Sequence, residues 1–117
     1  MADGILRHGR LGMGTWCLGD RPETRSEEIA ALRYGLEQGI TIIDTAELYG
    51  GGRSERLVGE AVKPFAREEI YLVSKVLPAN AGRRRLEQSL DASLKALQTD
   101  YLDMYLYHWR GSTPLQE

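Results

Sequence analysis

The stretch from Thr41 to Gly50 reads "TIIDTAELYG", and it joins a strand-like run to two ionisable side chains. Its first half is β-branched and apolar, which is typical of a strand buried in a sheet. The apolar run ends at Asp44, and Tyr49 follows five residues later, directly before three glycines. Taken alone, Asp44 and Tyr49 have an ordinary structural interpretation, because Asp is favoured in turns for its own local hydrogen bonds. The surrounding segments change that interpretation.

Strand-like and helix-like segments alternate on both sides of this stretch. Four apolar segments have the composition of strands: Leu11–Trp16, Ile40–Asp44, Ile70–Val76 and Tyr101–His108. Between them, apolar residues recur at helical spacing in three groups: Ile29, Leu32 and Leu36; Leu57, Val58, Ala61 and Val62; and Leu86, Leu90, Leu94 and Leu97. Because strands joined by helical crossovers pair in parallel, the order β-α-β-α-β-α-β predicts a parallel sheet that helices cover on at least one face.

Local signals predict where two of these helices begin and end. Thr24, with Glu27 three residues later, has the pattern of a capping box and predicts the start of the first helix. Gly39 is a typical C-terminal stop for that helix. Ser54 is the predicted first residue of the second helix, and Pro64 ends it because proline cannot continue the backbone hydrogen bonding.

Three ionisable residues interrupt the apolar strands near their carboxyl ends. Asp44, Lys75 and His108 lie 31 and 33 residues apart, each close to the length of one strand–helix–strand repeat. Parallel strands with right-handed crossovers place these ends on one rim of the sheet. Burying a charge without a partner is costly, so we expect the three groups to lie close together. In α/β barrels this carboxyl rim is where active sites are built.

Grouped with Tyr49, these residues have the chemistry of a proton donor. A phenol is by itself a weak acid at neutral pH. A nearby Lys75 ammonium would stabilise the phenolate, and the Asp44 carboxylate would keep that ammonium charged and oriented. Tyr49 is then the candidate general acid toward a developing alkoxide, and His108 is positioned to donate a hydrogen bond to the same oxygen. None of these groups supplies a hydride, so a reduction would need a cofactor.

Four motifs in this order resemble the aldo-keto reductase family. They are "GMGTW" at 12–16, "IDTAELYG" at 43–50, "LVSKV" at 72–76 and "DMYLYHW" at 103–109. The resemblance implies a TIM-type (β/α)₈ barrel and NADP(H)-dependent reduction of aldehydes or ketones to alcohols. It also implies that the catalytic residues are Asp44, Tyr49, Lys75 and His108. The absence of a GxGxxG motif agrees with it, because this family binds its cofactor without a Rossmann unit.

The resemblance also implies residues that contact the cofactor and the substrate. The expected NADP(H) contacts are Gly14, Thr15, Trp16 and Asp44. The expected contacts to a small carbonyl substrate are Trp16, Tyr49, His108 and Trp109; we assign no metal ligands. The two tryptophans have an alternative interpretation as side chains that close the top of the barrel. The segment "LYHWRGSTPLQE" is most similar to bacterial members that reduce methylglyoxal and other small aldehydes.

The length of the chain does not decide whether it acts as an independent domain. A (β/α)₈ barrel needs about 250 residues, whereas the 117 residues supply four strands and three helices. We therefore expect residues 1–117 to be the N-terminal half of an oxidoreductase domain. Two alternatives are pairing with a second copy, and a truncated, non-catalytic half-barrel that docks with a complementary half. Unpaired first and fourth strands would favour self-association.

Composition limits the remaining function classes. The chain is 42% hydrophobic and 27% charged, with a net charge of −2, which is typical of a soluble globular protein and gives no reason to expect nucleic acid or membrane partners. No apolar stretch approaches the ~20 residues of a membrane span. The single cysteine, Cys17, excludes an intramolecular disulfide, and we expect it to be partly buried. We expect a cytoplasmic protein.

Overall fold

The computed structural model describes residues 4–114, which form four strands and three α-helices in alternation. Their bounds are β1 Gly12–Gly14, α1 Arg25–Glu37, β2 Ile42–Asp44, α2 Arg53–Val62, β3 Tyr71–Val76, α3 Arg83–Leu97 and β4 Met104–Tyr107. Short 3₁₀ turns occupy Ile5–His8, Pro22–Thr24, Tyr49–Gly52, Arg67–Glu69 and Pro78–Asn80. The predicted order of elements is confirmed, and each strand is shorter than its apolar segment.

The strands form one parallel sheet in the order β1-β2-β3-β4. Each strand therefore pairs with its sequence neighbour, which is the arrangement of consecutive units in a (β/α)₈ barrel. In the register, Gly14 lies beside Asp44, and Lys75 lies beside Leu106. The prediction that the first and fourth strands are the edges of the sheet is confirmed within residues 4–114.

The hydrophobic core lies between the sheet and the three helices. Ile43 and Leu72 project from the sheet into it and have no exposed surface. The helices contribute the apolar faces predicted for α1 and α2, together with Leu97 of α3; the cluster comprises Ile29, Leu32, Leu36, Ile43, Leu57, Val58, Ala61, Val62, Ile70, Leu72 and Leu97.

Helix α3 differs from its prediction. Its buried residues are Ser89, Ser93 and Leu97, whereas the leucines at 86, 90 and 94 are only partly buried. The helix is therefore rotated so that two serines, and not the leucine stripe, contact the sheet. Leu97 is the member of that stripe that joins the hydrophobic core, and the Ser93 hydroxyl is buried without a hydrogen-bond partner among residues 4–114.

The predicted start of α1 is confirmed, since Thr24 directly precedes the helix, but its side-chain cap is not, and the start of α2 differs by one residue. The Thr24 hydroxyl donates to the Arg21 carbonyl at 3.3 Å and does not cap α1, because the 3₁₀ turn Pro22–Thr24 leads directly into the helix. Helix α2 begins one residue before Ser54, after Gly52 with φ of 100°. Gly39 follows α1 with φ of 91°, as expected of a stop that requires the left-handed region.

The second face of the sheet carries no helix within residues 4–114. Side chains alternate between the two faces of a strand, so the neighbours of the core residues Ile43 and Leu72 point away from the helices. This open face carries Asp44 and Lys75 among partly exposed apolar residues, including Leu106 at 41% exposure. In the same described range, none of the helices has the length and apolar character needed to cross a membrane.

Candidate active site

Asp44 and Lys75 form an ion pair at the carboxyl ends of adjacent strands. Asp44 is the last residue of β2, and Lys75 is the penultimate residue of β3. The Lys75 Nζ atom lies 2.8 Å from Asp44 Oδ1 and donates a second hydrogen bond, of 2.9 Å, to the Thr45 carbonyl. The Lys75 side chain is 14% exposed and the Asp44 side chain 42%, so the ammonium is enclosed while its partner stays accessible from the open face.

The Tyr49 phenol lies next to this ion pair. Its oxygen is 3.4 Å from Lys75 Nζ, and the ammonium is 5.0 Å from the centre of the ring. Tyr49 begins the 3₁₀ turn that links β2 to α2, and Gly50 and Gly51 follow it with φ of 60° and 62°. These backbone angles favour glycine. The three glycines after Tyr49 therefore have a conformational role in the turn that carries the phenol.

His108 lies beside Tyr49 and comes from the end of the next strand, β4. It follows β4 directly, and its backbone N–H donates to the Val76 carbonyl at 2.9 Å. Its ring centre lies 5.7 Å from that of Tyr49, with an interplanar angle of 84°. The His108 Nδ1 atom is buried and has no hydrogen-bond partner among residues 4–114. The structure thus brings Asp44, Tyr49, Lys75 and His108 into one group.

The two tryptophans lie at the rim of this group and are exposed. Trp109 is 53% exposed and packs edge-on against the His108 ring, with 5.0 Å between ring centres. Trp16 follows β1 and is 76% exposed. Among the described residues, neither tryptophan is buried in the way that closing the top of the barrel would require.

Cys17 is exposed, with φ of 73°, so the expectation that it is partly buried is wrong; the turn after β1 directs it outward.

The residues predicted to contact a cofactor differ in accessibility. A Cβ placed on Gly14 would meet no atom within 4 Å, so the space in front of this residue is open. Trp16 and Asp44 also present exposed atoms toward the rim. Thr15 is fully buried, and both its N–H and its hydroxyl donate to the Asp44 carbonyl, at 3.1 and 3.0 Å. Any contribution of Thr15 to a cofactor site therefore comes through the β1–β2 pairing that it supports.

A buried polar cluster lies behind β3, on the helix side of the sheet. Glu55 of α2 is 2% exposed and accepts a 2.6 Å hydrogen bond from the Ser74 hydroxyl. Burial raises the pKa of the Glu55 carboxyl, and the Ser74 hydrogen bond opposes this in part. Burial likewise raises the pKa of Tyr105, with further contributions from the charges of Glu47 and Glu55. Ser74 precedes Lys75, so this cluster supports the strand that carries the ammonium.

Three contributors to the site were missed by the sequence analysis. The Thr45 carbonyl that accepts from Lys75 is a backbone atom, and no side-chain pattern signals it. Glu47 lies between Asp44 and Tyr49, and the presence of an acidic residue in that loop could have identified it as part of the site. Ser54 was interpreted only as a helix start, but its hydroxyl lies 2.7 Å from the Thr15 carbonyl and 2.5 Å from that of Leu18, so it joins α2 to the loop after β1.

Known proteins similar to this chain belong to one family. Residues 10–116 match the model of the aldo/keto reductase family. The methylglyoxal reductase YeaE of Escherichia coli (strain K12) is 50% identical over 107 residues, which cover 92% of this chain and 37% of that protein. The aldo-keto reductase YhdN of Bacillus subtilis (strain 168) is 40% identical over 130 residues, covering 100% of this chain and 39% of that protein.

Solved structures of similar fold are also aldo-keto reductases. One from Klebsiella pneumoniae, in complex with NADPH, superposes with a TM-score of 0.87 at 51% identity, over 91% of this chain and 37% of that one. The thermostable aldo-keto reductase Tm1743, in complex with the inhibitor epalrestat, gives 0.89 at 43% identity, over 95% and 44%. The chain thus spans between 37% and 44% of the length of these proteins. On its sequence and its fold, this chain belongs to the aldo/keto reductase family.

Proposed function

We propose that residues 1–117 are the N-terminal, catalytic half of an oxidoreductase domain that reduces aldehydes or ketones to alcohols with NADPH. The observation that carries the proposal is the position of Lys75, whose ammonium lies 2.8 Å from a carboxylate and 3.4 Å from a phenol oxygen. An amine placed between an acid and a phenol is suited to proton donation by the phenol.

In this reaction Tyr49 donates its proton to the carbonyl oxygen of the substrate as that oxygen becomes an alkoxide. Lys75 stabilises the phenolate left behind, because the ammonium lies within hydrogen-bond distance of the phenol oxygen. Asp44 and the Thr45 carbonyl orient the ammonium toward the phenol. The charge that develops on Tyr49 is thus balanced by groups that are in place before the reaction begins.

His108 and the rim tryptophans orient the substrate. The His108 ring lies edge-on to Tyr49, so a carbonyl oxygen near the phenol also lies within reach of the imidazole. Trp109 also packs against the His108 ring, at 5.0 Å between ring centres, and restricts its position. Trp16 and Trp109 are exposed at the rim, where they form walls for a small substrate.

NADPH, when bound, supplies the hydride that these side chains lack. Gly14, Trp16 and Asp44 would hold its nicotinamide end, because they present open surface on the face that carries Tyr49. The Klebsiella pneumoniae structure in complex with NADPH supports this cofactor for the present chain.

Methylglyoxal is the substrate that we propose, as one of a class of small aldehydes. Support comes from the 50% identity to a methylglyoxal reductase of Escherichia coli. A small substrate also agrees with the close approach of Trp109 to His108, at 5.0 Å between ring centres, which restricts the space at the rim.

The test is reduction of methylglyoxal by the purified chain, followed by the loss of NADPH absorbance. Tyr49→Phe removes the proton donor and should lower kcat at least about 100-fold, the lower end of the contribution of general acid catalysis. Tyr34→Phe is the matched control, because Tyr34 lies on α1 and is 64% exposed. Full activity of Tyr49→Phe would refute the role of the phenol.

A second candidate function is favoured by the uncovered face of the sheet. In this view the chain is a non-catalytic half-barrel that docks with a complementary half or a second copy. Leu106 on the open face is 41% exposed, and both β1 and β4 lack an outer partner strand within residues 4–114. This candidate predicts that the isolated chain does not bind NADPH and that it forms oligomers whose size depends on concentration.

A further inference from the structure

We infer that Glu47 is a positioning residue, which holds the loop carrying Tyr49 at a fixed distance from Lys75. The catalytic consequence of this inference rests on the proposed function, but the structural consequence does not. Glu47 lies in the loop between β2 and α2, two residues before Tyr49, and its side chain is half-buried.

The Glu47 carboxylate ties this loop to the segment that follows β3. Its Oε2 atom accepts a 2.6 Å hydrogen bond from the Leu77 backbone N–H and a 3.0 Å bond from Asn80 Nδ2. The Glu47 backbone N–H in turn donates to the Lys75 carbonyl at 3.3 Å. One residue therefore binds the chain on both sides of Val76, immediately after the residue that carries the ammonium.

These hydrogen bonds of Glu47 determine the distance between Tyr49 and Lys75. The β2–β3 pairing continues past the strand through the Thr45 N–H, which donates to the Val73 carbonyl at 2.9 Å. Beyond that bond, Glu47 supplies the contacts between the two loops that lie nearest to Tyr49. The phenol is the most distant of the three Lys75 partners, at 3.4 Å, so a small shift of the loop would break this contact first.

The partners of Glu47 indicate that its hydrogen bonds matter more than its charge. Both donors are neutral, and no ion pair involving Glu47 occurs among residues 4–114. Both bonds also converge on the same oxygen atom. A glutamine at this position can present one amide oxygen to both donors, whereas alanine offers none and aspartate is shorter by one methylene.

The structural test uses NMR on the whole chain with Glu47→Ala, Glu47→Asp and Glu47→Gln. Glu28→Ala is the matched control, because it also removes a carboxylate that accepts from a backbone amide, that of Gly19 at 3.0 Å. In the Ala and Asp variants we expect about tenfold faster exchange of the Leu77 amide. We also expect a weaker nuclear Overhauser effect between Tyr49 ring and Lys75 side-chain protons. The Gln variant and the control should match the parent protein.

Kinetics provide the second readout. Glu47→Ala should lower kcat for NADPH-dependent reduction by about 10- to 100-fold, as expected for a misplaced catalytic group, with KM for NADPH within about twofold. Glu47→Gln should retain kcat within about threefold. If Glu47→Ala does not fold, Glu47→Asp is expected to show the same losses.

Two results would overturn the inference. One is an unchanged Tyr49–Lys75 Overhauser effect in folded Glu47→Ala or Glu47→Asp. The other is a loss in Glu47→Gln as large as in Glu47→Ala, which would assign the effect to the charge. A parent chain without reductase activity would count against the proposed function only, because the Overhauser comparison still decides whether Glu47 positions Tyr49.

Discussion

Glu55 is a carboxyl group enclosed between β3 and two helices, and its environment makes the stability of the fold depend on pH. Because burial raises the pKa of the Glu55 carboxyl above its ordinary value, the folded protein retains this proton at pH values where the unfolded chain has lost it. The contribution of Glu55 to the free energy of unfolding should therefore be greatest at pH values below the ordinary carboxyl pKa. It should fall as the pH rises through the folded-state pKa.

Glu55→Gln tests this linkage, because an amide oxygen can still accept from Ser74 while no longer titrating. Urea unfolding from acidic to neutral pH should show a smaller decline of stability in Glu55→Gln than in the parent protein. Glu69→Gln, at an exposed position, should leave the decline unchanged. Parallel pH profiles of the parent and Glu55→Gln would show that the carboxyl does not titrate abnormally.

At the scale of single residues, sequence reasoning found the groups that interrupt a pattern. Asp44, Lys75 and His108 were identifiable because each places an ionisable side chain in an apolar strand. The Thr45 carbonyl was not identifiable, because every residue carries such a group. The catalytic roles of these residues stay predictions that the Tyr49 and Glu47 variants examine.

At the scale of elements, helices α2 and α3 cross closely at Gly59. A Cβ at this position would lie 2.7 Å from the Ala96 carbonyl oxygen and 2.9 Å from the carbonyl group of Leu97. These are backbone atoms, so the two helices would have to separate to admit a methyl group. Glycine at this position is therefore a packing requirement.

We expect Gly59→Ala to lower the free energy of unfolding by about 1–3 kcal/mol, the usual cost of overpacking a core. The comparison variant is Gly82→Ala before α3, where a Cβ meets no atom within 4 Å and φ is −69°. This change should cost no more than about 0.5 kcal/mol. Equal denaturation midpoints for the two variants would contradict the close crossing of α2 and α3.

Element order was predictable, because short apolar runs alternate along the chain with apolar residues at helical spacing. The orientation of each helix was less predictable from the sequence. The leucines of α3 indicated a buried stripe, but the buried residues of this helix are Ser89, Ser93 and Leu97. The start of α1 directly after Thr24 was predictable, but the capping box was not confirmed, because the Thr24 hydroxyl donates to the Arg21 carbonyl within the preceding 3₁₀ turn.

At the scale of the whole molecule, the sheet has one covered and one open face within residues 4–114. The helices bury Ile43 and Leu72 on one side, whereas Leu106 on the other side remains 41% exposed. The parallel order and the two edge strands followed from the sequence, but the occupant of the open face did not. The pattern of apolar residues predicts that this face of the sheet is covered, but it does not identify the segment that covers it.

If the open face associates with a second copy, a polar residue at Leu106 should weaken that association. Leu106→Gln introduces an uncharged polar group, so it places no second positive charge beside Lys75, its neighbour in the register. Burying a leucine contributes about 1.5–3 kcal/mol, so the association constant measured by sedimentation should fall at least about tenfold. Tyr34→Gln, on the outer surface of α1, should leave it unchanged. A parent chain that stays monomeric at all concentrations, or equal association by both variants, would exclude this face as the contact.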